Sequence, residues 1–324
     1  MNMTDANRGP LVDRLLERLA QSFRLGTRIA GRTLPEIIAA AVHSADDTAT
    51  PDWGGDTSAP ALEKICTGPL TFFYRPHLFP GMDEDLRLGH LIQYRLLPRR
   101  LPPQAPVEAA ALLESYCHLS GDVFGWRAEP DGSLTAWLLD VSGHGLRAGF
   151  AALVLTMLLE DSPAGRQLDE LVSGLEERFL AAREPGDRAC LYATGVLLRV
   201  DPGGGCSTVC AGHPPPLVRR AAGPVEELEG ASLPIALVPG QRPQVSRTRL
   251  GSGDLVLIFS DGLVEAADAH GRHFGARRAA TVLAEGSDRP AEVAERLYAE
   301  VAAHHDLSRL DDDLSFLVLR RPPG

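Results

Sequence analysis

Residues 134–160 read LTAWLLDVSGHGLRAGFAALVLTMLLE, and the rest of the chain is organised around them. The run Leu134 to Leu139 has the length and composition of a buried strand. It ends on Asp140, after which Ser142-Gly143-His144-Gly145 break any regular pattern. From Arg147 the period becomes helical, with Phe150, Leu153, Val154, Met157 and Leu158 on one apolar face. A buried strand therefore delivers a carboxylate to a tight glycine turn, and a buried helix leaves it. An ionised Asp in that position is costly unless it is paired or bound to a cation. Two glycines allow backbone to approach a ligand closely. Taken alone, Asp140 fits a helix cap or Asx turn as well as a metal or phosphate site.

Composition narrows the function classes. The 324 residues are long for one domain, so two units are expected. A net charge of −11 argues against sequence-independent nucleic-acid binding, which needs a basic surface. The longest apolar run, Ala148 to Leu159, is too short to span a bilayer, and no membrane partner is expected. The first twenty residues carry no long apolar region and no small-residue cleavage site, so no signal peptide is expected. The five cysteines, Cys66, Cys117, Cys190, Cys206 and Cys210, form no CxxC pair. Cys206 and Cys210 fall in a strand-like hairpin, which favours reduced thiols over a metal site and a cytoplasmic location.

Along the chain, residues 11 to 45 read as two helices, with Pro35 near the start of the second. Asp46 to Pro60 is rich in Asp, Thr, Gly and Pro, and reads as a linker. Residues 61 to 80 give no clear period. Asp83 to Leu97 is an amphipathic helix stopped by the prolines of LPRRLPPQAP. Val107 to Tyr116 fits either a strand or a short helix, because EAAALLE has helix propensity. Strands then follow around the turn Pro130-Asp131-Gly132, at Leu191–Val200 and Cys206–Ala211, at Leu255–Phe259 and at Leu314–Leu319. Helices fall at Gln167–Ala182, Phe274–Glu285 and Ala291–His304.

Three of these apolar strands meet an Asp at one end: Asp140, Asp261, and Asp312 or its neighbours. Asp122 stands at a Gly-Asp step beside the first. One such Asp is ordinarily a turn residue. Several at the ends of neighbouring strands would repel one another unless cations lay between them. Oxygen-only ligands favour hard ions, Mg²⁺ or Mn²⁺, and two such ions would activate a water and clamp a phosphoryl oxygen.

The segments SGDVFGW, LLDVSGHGLRAGFAA, AGHPPPL, LIFSDGLVEA and DDDLSFLVL resemble, in order and approximate spacing, the PPM-type metal-dependent serine/threonine phosphatases. The likeness runs from about Leu91 to Arg320 and is to the RsbU-like and sporulation-phosphatase branch. It implies an α+β fold: an α-β-β-α sandwich of two antiparallel sheets flanked by helices, preceded by a mainly helical N-terminal region. The expected division is a helical region of unknown type over 1–82, a linker helix over 83–101 and a phosphatase domain over 102–324. The resemblance also implies two Mn²⁺ or Mg²⁺ ions. Asp122 and Asp140 would bridge both, the Val141 carbonyl would complete one, and Asp261 and Asp312 would hold the other. It implies direct attack by an activated water on a phosphoprotein, with an anti-sigma-factor antagonist as substrate. A partner-controlled binding module with structural metals is the alternative. His144 and His213 are proton-donor candidates or turn histidines, with His144 the preferred general acid. Gly125 stands where many relatives carry an Asp, which puts any outer contact of that Asp in doubt. The N-terminal helices offer a surface for a homodimer.

Overall fold

The structure, a computed structural model, describes residues 28–29, 32–33, 63–67, 70–74, 89–90, 92–93, 96–98, 100–116, 119–183, 191–221, 223–307 and 310–323. Two sheets face each other. A five-stranded sheet runs β12-β9-β8-β7-β6. Its strands are β6 (Asp122–Ala128), β7 (Leu134–Val141), β8 (Ala193–Val200), β9 (Gly205–Ala211) and β12 (Ser246–Arg249). A seven-stranded sheet runs β11-β10-β13-β14-β5-β4-β3. It contains β3 (Glu63–Thr67), β4 (Leu70–Tyr74), β5 (Glu108–Glu114), β10 (Leu217–Arg219), β11 (Val225–Glu227), β13 (Leu255–Phe259) and β14 (Leu314–Arg320). The short strands β1 (Arg28–Ile29) and β2 (Arg32–Thr33) pair with each other.

Helices cover the outer faces. α1 (Leu146–Glu160) and α2 (Leu168–Ala182) pack on the five-stranded sheet. After the single turn α3 (Asp261–Glu265), α4 (Ala276–Glu285) and α5 (Pro290–His304) pack on the seven-stranded sheet. Alternation along the strands builds the layers. Ala109, Ala111 and Leu113 of β5, Val256 and Ile258 of β13, and Leu317 and Leu319 of β14 join the core shared with the other sheet. Their neighbours Ala110, Leu112, Leu257, Phe259, Phe316 and Val318 join the separate core beneath α4 and α5. This is the expected α-β-β-α sandwich.

The structure settles or changes the sequence reading in four places. α1 does not bury one face: every residue from Ala148 to Leu159 is buried, because the helix lies between the sheet, α2 and the chain before β6. Val107 to Tyr116 resolves as β5, paired on both sides by β14 and β4. Pairing on both edges and burial of both faces override the helix propensity of its alanines and leucines. Residues 61 to 80, which lacked a period, contain the β3–β4 hairpin. Its residues, Ile65, Thr67, Thr71, Phe72, Phe73 and Tyr74, are strand formers, so a helical reading of 1–82 does not hold there. Every pairing in the two large sheets is antiparallel except β4 with β5. The helices expected over 11–45 otherwise lie outside the described residues.

The expected helix over Asp83–Leu97 is helical at 89–90, 92–93 and 96, and Leu97 already lies past its end. Ile92 and Leu97 enter the shared core, so these two side chains pack onto the same domain.

Candidate metal centre

The β6–β7 register sets Asp122 directly opposite Asp140. Two carboxylates thus share one face at a Cβ separation of about 5 Å, an arrangement that is destabilising when both are charged. The other sheet brings the rest. β13 ends at Phe259 and turns through Ser260 into Asp261. Phe259 pairs with Phe316, so the end of β13 meets the start of β14, just after Asp312 and Asp313. That turn is packed tightly enough to require glycine after Asp261: a Cβ on Gly262 would lie 2.0 Å from the Asp313 carbonyl oxygen.

The electrostatics follow from this crowding. Burial is the largest influence on each of four carboxyls, and it favours the neutral form. Asp140 is pushed up to about 7 by burial, then by the charges of Asp261, Asp312 and Asp313. Asp122, only 1% exposed, is held well above the usual range by burial, then by Asp140 and Asp313, although Ser315 and Ser260 hydroxyls pull the other way. Asp261 is raised by burial and by Asp312. Asp313 rises to about 6, chiefly by burial. Among the described residues no arginine, lysine or histidine forms an ion pair with any of these groups.

Asp312 and Asp313, which the sequence alone could not separate, have different surroundings. Asp313 is buried, and both its oxygens are used: Oδ1 accepts from the Tyr116 N–H (2.7 Å) and Oδ2 from the Gly121 N–H (2.6 Å). It clamps the start of β14 to the ends of β5 and β6. Asp312 is exposed, and only its Oδ1 is engaged, by the Asp313 N–H (2.8 Å). Asp312 is therefore the member of the pair with a free oxygen.

The Asp313 clamp also changes Val141. Facing residues in a hydrogen-bonded antiparallel pair exchange two bonds. The Val141 N–H donates to the Gly121 carbonyl at 3.2 Å. The reciprocal donor, the Gly121 N–H, goes instead to Asp313. The Val141 carbonyl, 3.0 Å from where a Cβ on Gly121 would lie, thus loses its ladder partner. The donor set is therefore carboxylate and carbonyl oxygens, the chemistry that suits Mg²⁺ or Mn²⁺. Among the described residues no three acidic, histidine or cysteine side chains close into a cage around one point.

Other residues singled out in the sequence fall into place around this centre. His144 is exposed on the glycine turn, with its ring edge-on to Tyr116 at 5.6 Å. His213 is 7% exposed, and burial pushes it down to about 4, so it is a neutral interior imidazole and not a surface turn residue. Gly125 pairs with Trp137 on the face opposite Asp122, and a Cβ there would lie 2.4 Å from the indole. The missing Asp at 125 therefore takes nothing from the carboxylate cluster. Cys206 and Cys210 are free buried thiols, both pushed up by burial, and Cys210 bonds to the His213 carbonyl.

Sequence reasoning missed the supporting residues. Ser315 Oγ donates to Asp122 at 2.7 Å. Gln93 grips Ser120 with both ends of its amide: Nε2 donates to the Ser120 carbonyl (2.6 Å) and Oε1 accepts its N–H (2.9 Å). Ser120 in turn accepts from the Asp122 N–H. Their only sequence signal is proximity to a motif. A cavity of about 150 Å³ between α2 and residues 231–244 contains none of the five carboxylates.

Residues 130–322 match the protein family described as Stage II sporulation protein E (SpoIIE). The chain is 22% identical over 263 residues to Protein IcfG of Synechocystis sp., covering 73% of this chain and 41% of that protein. It is 23% identical over 184 residues to the phosphoserine phosphatase RsbP of Bacillus subtilis, covering 56% of this chain and 45% of that one. The chain thus spans less than half the length of either curated relative. In three dimensions it is similar to the SiaA-PP2C domain of Pseudomonas aeruginosa, with a TM-score of 0.64 and 20% identity, over 73% of this chain and 96% of that one. Among the described residues no helix is long and apolar enough to cross a membrane.

Proposed function

Since the chain belongs to the family of Stage II sporulation protein E (SpoIIE), we propose that it is a metal-dependent phosphoserine/phosphothreonine protein phosphatase. The observation that carries this reading is the uncompensated carboxylate cluster at the strand ends, with a backbone carbonyl freed beside it. Two divalent cations bound there would neutralise the carboxylates, activate a water and draw charge from the phosphoryl oxygens. Asp122 and Asp140 would lie between the ions. The Val141 carbonyl would help to hold one ion, and Asp261 with Asp312 the other. Asp313 is a clamp, because both its oxygens already accept backbone bonds.

A phosphorylated protein is the proposed substrate in preference to a small phosphoester, since Asp312 and His144 beside the site are exposed to a large partner. RsbP is named a phosphoserine phosphatase, which supports phosphoserine as the group removed; the proposed substrate is a phosphorylated anti-sigma-factor antagonist in a cytoplasmic signalling pathway. The proposed division keeps residues 1–82 as a regulatory or interaction region, with a homodimer through them. His144, exposed on the turn, is the proposed proton donor. His144→Ala should slow a phosphoserine substrate more than an aryl phosphate, whose leaving group needs no proton.

The test is Mn²⁺-dependent phosphate release from phosphoserine proteins of the same cell, with Asp122→Asn and Asp261→Asn alongside. Turnover in the parent and loss in both variants supports the proposal. Metal binding without turnover on any phosphoprotein would favour a binding module instead.

A further inference from the structure

One group beside the centre has no place in the ligand set. Thr194 stands opposite Asp140 in the β7–β8 register. Its Oγ1 lies 3.3 Å from Asp140 Oδ2 and 3.0 Å from Nδ1 of His213. His213 follows the end of β9, in the Gly212–Pro216 connection that leads to β10 in the other sheet. Its ring therefore lies where the chain crosses from the sheet carrying Asp140 to the sheet carrying Asp261. On the far side of the ring is the Phe259 carbonyl, two residues before Asp261. Nε2 nevertheless makes no hydrogen bond there.

Hydrogen-bond inventory fixes the direction of the chain. A neutral imidazole has one N–H and one lone pair, and a hydroxyl has one proton. With cations bound, Asp140 is ionised and only accepts, so the Thr194 proton belongs on Asp140 Oδ2. Thr194 Oγ1 must then accept from His213, which puts the imidazole proton on Nδ1 and leaves Nε2 bare. The opposite tautomer would turn a hydroxyl lone pair towards a carboxylate.

Resting on the metal-site reading above, we propose that His213 and Thr194 are positioning residues: His213 Nδ1–H donates to Thr194, and the Thr194 hydroxyl donates to Asp140 Oδ2. The chain pins one oxygen of Asp140 and leaves Oδ1 to face the ions. Outer hydrogen bonds of this kind orient ligands, and their loss typically weakens metal binding about 10–100-fold.

The experiment is Mn²⁺ titration of the full-length chain by calorimetry, with no substrate present. Thr194→Val and His213→Leu should each weaken binding by about tenfold or more. The double variant should bind no more weakly than the worse single one, because the two residues act in series. Thr194→Ser and His213→Asn, which restore a hydroxyl and an N–H donor, should recover most of the affinity. Histidine ¹⁵N shifts in the parent should place the His213 proton on Nδ1, a readout that needs no variant to fold. Parent-like Mn²⁺ affinity in Thr194→Val, additive losses in the double variant, or a proton on Nε2 would each overturn the chain. Asp140→Asn separates the two levels. If it too binds Mn²⁺ like the parent, the metal-site reading falls; if it alone loses binding, only the positioning chain does.

Discussion

The β6–β7 hairpin buries carboxylates at both ends, and the two ends are opposites. At the turn end, the Glu129 side chain is shut off from solvent but surrounded by donors. Arg127 and Arg199 each reach Oε1 at 3.0 Å, the Thr135 hydroxyl at 2.6 Å, and the Gly165 N–H reaches Oε2 at 2.8 Å. Burial pushes Glu129 up, but Thr135, Gly165 and Arg127 together bring it below its ordinary value. At the open end, Asp122 and Asp140 face each other, form no ion pair among the described residues, and are both raised. The same strands therefore carry one carboxylate satisfied by the protein itself and a group that is satisfied only by something added. The first is architecture, and the second is a site.

The largest expected effect separates the two ends. Asp122→Asn or Asp261→Asn should cut Mn²⁺-dependent turnover by more than about 100-fold, beyond the loss expected for an outer partner. Unfolding in chelator should be unchanged or harder, since a repelling charge has gone. Steady-state kinetics and denaturant unfolding together check this. Equal losses of stability and activity would make the open end structural too.

Glu129→Gln should do the reverse. Breaking a buried pair strands two arginines and costs about 3–5 kcal/mol. Arg127 and Arg199 are 12% and 13% exposed, and their partial contact with solvent places the cost nearer the lower figure. Mn²⁺ affinity should stay within a factor of about two of the parent, too small a change for an outer ligand partner. Urea unfolding and metal titration of this one variant decide it.

Leu153→Ala or Met157→Ala lies between the ends, in the helix that follows the glycine turn. Both side chains are buried, so each should cost about 2–5 kcal/mol by large-to-small truncation. An unchanged melting temperature would mean that α1 does not anchor the turn.

The smallest effect is in pH. A carboxyl raised from 3.8 to about 7 binds its proton more tightly in the folded chain. Its contribution is therefore fully present below pH 4 and lost as pH rises towards 7. Metal-free protein should lose stability across that window, and Asp140→Asn should flatten the loss. Glu129, shifted the other way, contributes stability above its unfolded value that is lost in acid. Chelated samples unfolded at several pH values read both ends at once.

How much of this was legible in the sequence follows from what each feature depends on. Strand β7, its Asp, the glycine turn and α1 are local, and periodicity with turn chemistry reveals them. β13 and β14 were equally clear, because strands buried on both faces read as unbroken apolar runs. β5 was ambiguous because its identity depends on β14, about two hundred residues downstream, and β4, about forty upstream. The roles of Asp312 and Asp313 could not be read, since adjacent identical residues differ only in which backbone amides reach them. Gln93 and Thr194 stayed hidden for the same reason, and so did the interior placement of His213. Their meaning is a distance to another element, and no spacing in the chain encodes it.

The most direct test of the central claim is calorimetric titration of Mn²⁺ into the full-length chain, beside Asp140→Asn and Glu129→Gln. Two ions per chain are expected in the parent and in Glu129→Gln, with binding lost or weakened by more than about 100-fold in Asp140→Asn. Parent-like binding in Asp140→Asn, or no binding in the parent, would contradict the claim that the open end of this hairpin is built for cations.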